Sequence, residues 1–392
     1  MGLSAKVADI NTSQDILQYL HSRRPEMLRF LKTLVRTETP SNVPRTQQQL
    51  FALLTDKLNT LNFHTLRVPG QRTGGYLYAR PRERRRGCPV QLLIGHCDTV
   101  WALGTLDEMP VRREEGKLRG PGVYDMKAGL TQILFALETL DQLNLPSPVC
   151  PVVFINSDEE IGSVESTQAI VRLARIASRA YVLEPPLGLE GKLKTARKGI
   201  GRFRLTVKGR AAHAGLDPEK GASAIVELSH QVQQLFAMND PERGITVNVG
   251  MIEGGTSANV IAPHSSAVVD VRVRNMEDGE EISRRIHNLE PAFPGTELII
   301  AGSVGRPPLE RTPRNRKLWQ LAQAAAGELG FELREGTAGG GSDGNTTSQY
   351  TATLDGLGTP GDGAHATHEF IFVDQLIERT ALLTMLLMAE PV

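Results

Sequence analysis

Cysteine is scarce in this chain: 392 residues carry only Cys88, Cys97 and Cys150. Three is an odd number and no two form a CxxC, so neither a disulfide framework nor a cysteine-built metal site is expected, and a reducing compartment suits the chain. Net charge is absent too, because Lys+Arg and Asp+Glu both number 44. A general nucleic-acid binder needs a basic surface, so that class is set aside. The one basic run, RPRERRR at 80–86, is short, lacks aromatics and reads as a solvated hairpin. No apolar stretch approaches the ~20 residues that cross a bilayer. The opening segment MGLSAKVADINTSQDI contains no signal-peptide core, and Lys6 stands where myristoylation needs Ser or Thr. Internal repeats and low-complexity tracts are missing as well. The expectation is a cytoplasmic protein whose partners are neither nucleic acid nor membrane.

The length exceeds one ordinary hydrophobic core, so two domains are expected. Apolar residues at 40% and charged residues at 22% are those of a globular enzyme or binding protein. The spacing predicts helices over 14–35, with a break near Pro25, and over 46–61, 127–143, 163–178, 314–329 and 373–388. Between them stand continuous apolar runs at 90–95, 152–156 and 180–183, the mark of strands buried on both faces. Apolar strands alternating with helices predict an α/β layer with a mostly parallel sheet. From about 195 to 305 the texture changes to half-exposed strands, in the order strand, helix, strand, strand, helix, strand. That is the ferredoxin-like α+β order, read as a domain inserted into the first. The expected division is 1–194 with 306–392, and 195–305.

The most informative residues are the adjacent acids Glu159 and Glu160, at the end of PVVFINSDEEIG. Like charges so close repel unless a cation holds them or one is protonated. A solvated turn is the ordinary fate of such a pair; its neighbours argue for a metal. His96 and Asp98, in GHCDTV, directly follow the strand at 90–95, where ligands of open α/β sheets bind. In a His-x-Asp the histidine can bind a metal while the aspartate fixes its other ring nitrogen. Glu184 ends the strand at 180–183, Asp125 lies between a glycine turn and a helix, and His365 and His368 share the loop GDGAHATHEF. Each signal is weak alone. Together, three apolar strands each end in a metal-competent side chain, and histidines with carboxylates suit zinc, with cobalt and manganese accepting similar sets.

These segments resemble the family of di-zinc exopeptidases and amidohydrolases that includes glutamate carboxypeptidase, acetylornithine deacetylase, succinyl-diaminopimelate desuccinylase, aminoacylase and tripeptidase. The resemblance runs from about residue 25 to the end of the chain. It implies a zinc-exopeptidase-like catalytic domain and an inserted lid or dimerisation domain. It implies two zinc ions per subunit, one held by His96, Glu184 and a bridging Asp125, the other by Glu160, His365 and the same Asp125. Glu159 would be the general base acting on a metal-bridging water. The family spacing His-x-x-x-Glu-aromatic selects His365, followed by Glu369 and Phe370, over His368. Within the inserted domain, His213 in KGRAAHAG resembles a histidine that stabilises the oxyanion across a homodimer. Asn259 and Arg272 match residues that hold the substrate's carboxylate; Arg306 and Lys192 are further candidates for that task. The glycine loop at 339–341, with Gly340 at its centre, resembles a segment that lets the substrate backbone approach closely; no Lys-Ser/Thr follows, so it is not a phosphate loop.

The GVYDMKAG and lid motifs most resemble the glutamate carboxypeptidase branch. Hydrolysis of a small-molecule or short-peptide substrate, freeing a C-terminal amino acid with glutamate favoured, is therefore expected. An N-acyl-amino-acid deacylase or a dipeptidase would use the same core. A non-catalytic metal-binding homologue is the alternative from another class, and the complete set of core residues speaks against it.

Overall fold

The structure, a computed structural model, describes residues 10–84 and 86–391. The first nine residues, on which part of the leader reading rests, and Arg85 of the basic run lie outside the described residues. The chain divides into two compact units. One is formed by the described residues up to Thr195 with Arg311–Gly336 and those from Ser342 onward; the other is Ala196–Glu310 with Thr337–Gly341. The sequence reading left the glycine loop in the first unit. It groups with the second because Lys198 N donates to Ala338 O at 3.0 Å and Arg197 Nη1 donates to the carbonyls of Gly340 and Gly341, both at 3.1 Å.

The first unit is built on a six-stranded sheet. Its order is Phe63–Val68, Tyr76–Pro81, Cys150–Asn156, Val90–His96, Ala177–Val182, Ala352–Leu354. The last four run parallel, and the first two form an antiparallel hairpin on the edge. The apolar runs do not alternate because both faces are covered. Val90, Leu92 and Ile94 pack with Val152, Phe154, Ala180 and Val182 against Ile170 on one side. Leu93, Val153, Ile155 and Tyr181 face the helices Ile10–Arg36, Ala128–Gln142 and Val373–Met388 on the other. Each such side chain contributes about 1.5–3 kcal/mol by leaving water.

One expectation is corrected: the first helix runs unbroken from Ile10 to Arg36 through Pro25. Proline inside a helix costs about 3 kcal/mol. Here Ile16, Leu20, Met27, Leu31 and Leu34 are fully buried on both sides of it, and that burial outweighs the lost hydrogen bond.

The second unit has the expected element order: Gly199–Lys208, Ala224–Phe236, Thr246–Gly254, His264–Val273, Met276–His287 and Glu297–Arg306. Its four strands form an antiparallel sheet in the order 246–254, 264–273, 199–208, 297–306, which is ferredoxin-like. Phe203, Leu205 and Val207 point into its core with Val269, Val271, Leu228 and Ile282, while Arg202, Arg204 and Lys208 are exposed. Ser223 and Asn275 cap the two helices by accepting the N–H groups of Val226 and Asp278. No helix among the described residues is long and apolar enough to cross a membrane.

Candidate metal centre

Strand register sets the site. His96 lies opposite Asn156 and Ile94 lies opposite Val182, so three parallel strands end at one level. The next residues of each strand, Cys97–Asp98, Ser157–Glu160 and Leu183–Glu184, therefore emerge along one edge of the sheet. Cys97 turns inward and packs in the apolar core, which leaves His96 and Asp98 on the open side.

His96 is buried. Its Nδ1 lies 3.0 Å from the Asp98 main-chain oxygen and 3.4 Å from Asp98 Oδ1. Its Nε2 faces Asp125 Oδ1 at 3.2 Å and Glu184 Oε1 at 3.3 Å. Burial disfavours the imidazolium, but bonds to Asp125, Asp98 and Glu184 outweigh it and push the His96 pKa well above its ordinary value. Asp98 is itself held by Ser41 Oγ at 2.7 Å and accepts the N–H groups of Glu159 and Glu160 at 3.3 and 3.2 Å. It thus orients both the histidine and the acid pair.

Asp125 stands between the two halves of the cluster. Oδ1 faces His96, and Oδ2 lies 3.6 Å from His365 Nε2. The same His365 nitrogen lies 3.1 Å from Glu160 Oε2. Burial alone would raise the Asp125 pKa; the two histidines draw it well below the carboxylate range. Hydrogen bonds that the ring donates to Asp125 and Glu160 raise the His365 pKa to about 10. Burial, opposed by His365 and reinforced by the Asp125 charge, raises the Glu160 pKa to about 7. The loop that carries Asp125 turns at Gly122, whose φ of +71° and a Cβ that would meet Thr99 Cγ2 at 2.5 Å exclude a side chain.

The donor atoms of His96, Glu159 and Glu184 lie within 4.8 Å of one another, as do those of His96, Asp125 and Glu160. Glu160 Oε1 is buried and has no hydrogen-bond partner. An unpaired carboxylate oxygen buried among like charges is costly, and a cation at this position removes that cost. The nitrogen and oxygen donors fit a divalent metal such as zinc.

Residues 92–389 match Peptidase family M20/M25/M40. The chain belongs to this family. It is a hydrolase of a metal-dependent family. Carboxypeptidase G2 of Pseudomonas sp. (strain RS-16) is 28% identical over 387 residues, covering 95% of this chain and 91% of the relative. Succinyl-diaminopimelate desuccinylase of Delftia acidovorans is 28% identical over 368 residues, covering 87% and 94%. Aminopeptidase PepT of Bacillus cereus shares the fold, with a TM-score of 0.77 at 21% identity over 93% of this chain and 98% of that one.

The other residues singled out from this M20 sequence fall in several places. His368 is exposed, 3.9 Å from Asp362 Oδ2, and makes no contact with the carboxylate cluster. Lys192 pairs with Glu190 at 3.1 Å in an exposed turn of the first unit. In the second unit His213 and Asn259 lie on adjoining segments, joined by Ala214 N donating to Asn259 O at 3.0 Å. His213 Nδ1 accepts the N–H groups of Gly215 and Leu216, both at 3.2 Å, so the neutral ring carries its proton on Nε2. Arg272 does not present a free fork: Nε and Nη2 bind Asp270 at 2.7 and 3.1 Å. Arg306 ends its strand beside Gly341, and a Cβ on Gly340 would meet nothing within 4 Å.

Sequence reasoning gave no role to Glu369, which accepts the main-chain N–H of Asp125, or to Lys194, whose Nζ lies 3.9 Å from Glu184 Oε2. The place of Glu369 in the His-x-x-x-Glu spacing was the available signal for the first; nothing in the local sequence marks the second.

Proposed function

We propose that this chain is a zinc-dependent amide hydrolase that frees a C-terminal amino acid, glutamate favoured, from a small N-acyl or short-peptide substrate. The observation that carries the reading is that His96 joins two metal-capable groups, one with Glu159 and Glu184 and one with Asp125 and Glu160, and that His365 contacts Glu160 Oε2 while Glu160 Oε1 stays unpaired. Similarity to carboxypeptidase G2 across 95% of the chain supports carboxypeptidase action.

Two zinc ions would be held by His96, Glu184 and Asp125, and by Glu160, His365 and Asp125. When bound, they would polarise the scissile carbonyl and lower the pKa of the attacking water. Glu159 takes a proton from that water as its oxygen adds to the carbonyl carbon. The same proton passes from Glu159 to the amine nitrogen as the C–N bond breaks. Asp98 keeps His96 in one orientation throughout. His213, with its proton on Nε2, is suited to donate to the oxyanion, acting from the second subunit of a homodimer. Exposed apolar side chains in its unit, Phe236 at 72%, Met251 at 58% and Ile252 at 59%, support such a dimer. Arg272 would receive the substrate's carboxylate on the edge formed by Nη1 and Nη2, its other edge being oriented by Asp270. Asn259 would assist it, with Arg306, Lys192 and Gly340 in lesser parts. Three free cysteines accord with a cytoplasmic setting.

The same core would serve an N-acyl-amino-acid deacylase, and the likeness to the desuccinylase supports that second reading. A substrate panel separates them. Purified, zinc-loaded protein is offered N-acyl glutamates, short peptides, N-acetyl-ornithine and succinyl-diaminopimelate, and released amino acid is measured. Release of glutamate alone is expected. Release only from the acetylated or succinylated compounds would replace the carboxypeptidase reading with the deacylase.

A further inference from the structure

Glu369 is buried, yet no cation among the described residues forms an ion pair with its carboxylate. Its oxygens are taken by four N–H donors. Oε1 accepts from Tyr124 N at 2.8 Å and Asp125 N at 3.0 Å. Oε2 accepts from Gly122 N at 2.8 Å and the Trp101 indole at 2.9 Å. Its main chain is engaged as well: Glu369 N donates to Ala366 O at 3.0 Å, and Glu369 O accepts from Gly120 N at 3.4 Å. One residue thus ties together three segments. The first is the loop after Asp98, through Trp101. The second is the turn 120–125 that carries Asp125. The third is its own loop, which carries His365 four residues earlier at a left-handed φ of +60°.

The candidate ligands are not equally anchored. His96 ends a strand, and Glu184 follows one, in the middle of a hydrogen-bonded sheet. Asp125 and His365 both stand on loops, and Glu369 connects those loops. We propose that Glu369 is a positioning residue that sets Asp125 against His365, so that the metal position these two share with Glu160, with two of its ligands on the loops Glu369 joins, depends on it more strongly than the position where Asp125 is joined by the strand-held His96 and Glu184. The proposal rests on the two-metal reading given above. A carboxylate is required because all four partners are donors. A glutamine in its place would turn an NH2 group toward two of them and push the Asp125 turn away.

The test is a competition titration of zinc against a chelator, counting metals per chain in the wild type, Glu369→Gln and Trp101→Phe. The unfolding midpoint of each protein in excess chelator is measured alongside. Two metals per wild-type chain are expected. Glu369→Gln should hold one metal about 10–100-fold more weakly, the usual effect of removing a partner behind a metal ligand, and the other more weakly by a clearly smaller factor. Its midpoint in chelator should stay that of the wild type. Trp101→Phe, which removes one donor and keeps the ring, should weaken the same metal by a smaller factor. It carries the test by itself if Glu369→Gln does not fold, in which case two metals at wild-type affinity in Trp101→Phe would overturn the proposal. Two metals at wild-type affinity in Glu369→Gln would also overturn it. So would equal weakening of both, whether the midpoint falls, which marks a general structural role, or stays, which shows no preference for the position at Glu160 and His365. Fewer than two metals on the wild type would instead remove the two-metal reading, and the proposal with it.

Discussion

His96 and Asp98 form a closed unit: the Nδ1 of the histidine lies 3.0 Å from the aspartate's own carbonyl oxygen and 3.4 Å from its Oδ1. The ring is fixed from behind, so Nε2 can only face Asp125 and Glu184. Because Asp98 also holds the N–H groups of Glu159 and Glu160, its loss should disturb ligand and acid pair together. Asp98→Ala is expected to lower metal affinity and kcat/KM by about 10–100-fold each. Chelator competition and steady-state kinetics check both, and a variant with wild-type values would remove Asp98 from the site.

The two late histidines make a paired prediction. His365 Nε2 lies 3.1 Å from Glu160 Oε2, while the His368 ring lies 3.9 Å from Asp362 Oδ2. His365→Ala should lower metal occupancy, and His368→Ala should leave it at the wild-type level. Metal analysis of both variants after dialysis decides; the reverse pattern would transfer the ligand role to His368.

His213 makes a prediction about assembly. Glu159→Gln and His213→Ala should each be inactive alone. If the histidine serves the other subunit's site, random pairing gives one competent site in half of the dimers, and mixing should restore about a quarter of wild-type turnover. No recovery after mixing would place His213 in the site of its own subunit or outside catalysis.

Stability has its own pH signature at Glu138. Arg23 Nε and Tyr19 OH bind its Oε1 at 2.9 and 3.0 Å, and Lys57 binds Oε2. Burial would raise the carboxyl pKa, but the bond and charge of Lys57, the Tyr19 bond and the Arg23 charge hold it below the ordinary range. A lowered folded-state pKa means the unfolded chain takes up the proton first as pH falls. The contribution is therefore complete above the unfolded value near 4.5 and is lost as pH falls through the folded value. Glu138→Gln should reduce stability at neutral pH by about 1–3 kcal/mol and should lose less than the wild type on acidification. Urea unfolding of metal-free protein at neutral and acid pH reads both quantities; an unchanged acid response would exclude Glu138 as the titrating group.

Much of the site was legible because it is written on the strands. Val90–His96, Cys150–Asn156 and Ala177–Val182 each contain an unbroken apolar run, at 92–95, 152–155 and 180–182, so their ends could be found, and with them His96, Glu159, Glu160 and Glu184. What was not legible depends on partners distant in sequence or on side-chain conformation. Pro25 reads as a break because local propensity cannot include the buried stripe of Ile16, Leu20, Met27 and Leu31. The pairing of Arg272 with Asp270 is a choice of rotamer, and its residue spacing suits either a substrate-facing or an internally paired arginine. Glu369 lies 244 residues from Asp125, and only the folded chain shows that its carboxylate holds that loop.

The account stands on Glu159 as the base beside a metal centre it does not build. Glu159→Gln, assayed for bound metal and for turnover in one preparation, tests this most directly. The account predicts wild-type metal content with turnover reduced by about 10²–10⁴-fold. Turnover near the wild type with both metals bound, or loss of metal in step with activity, would contradict it.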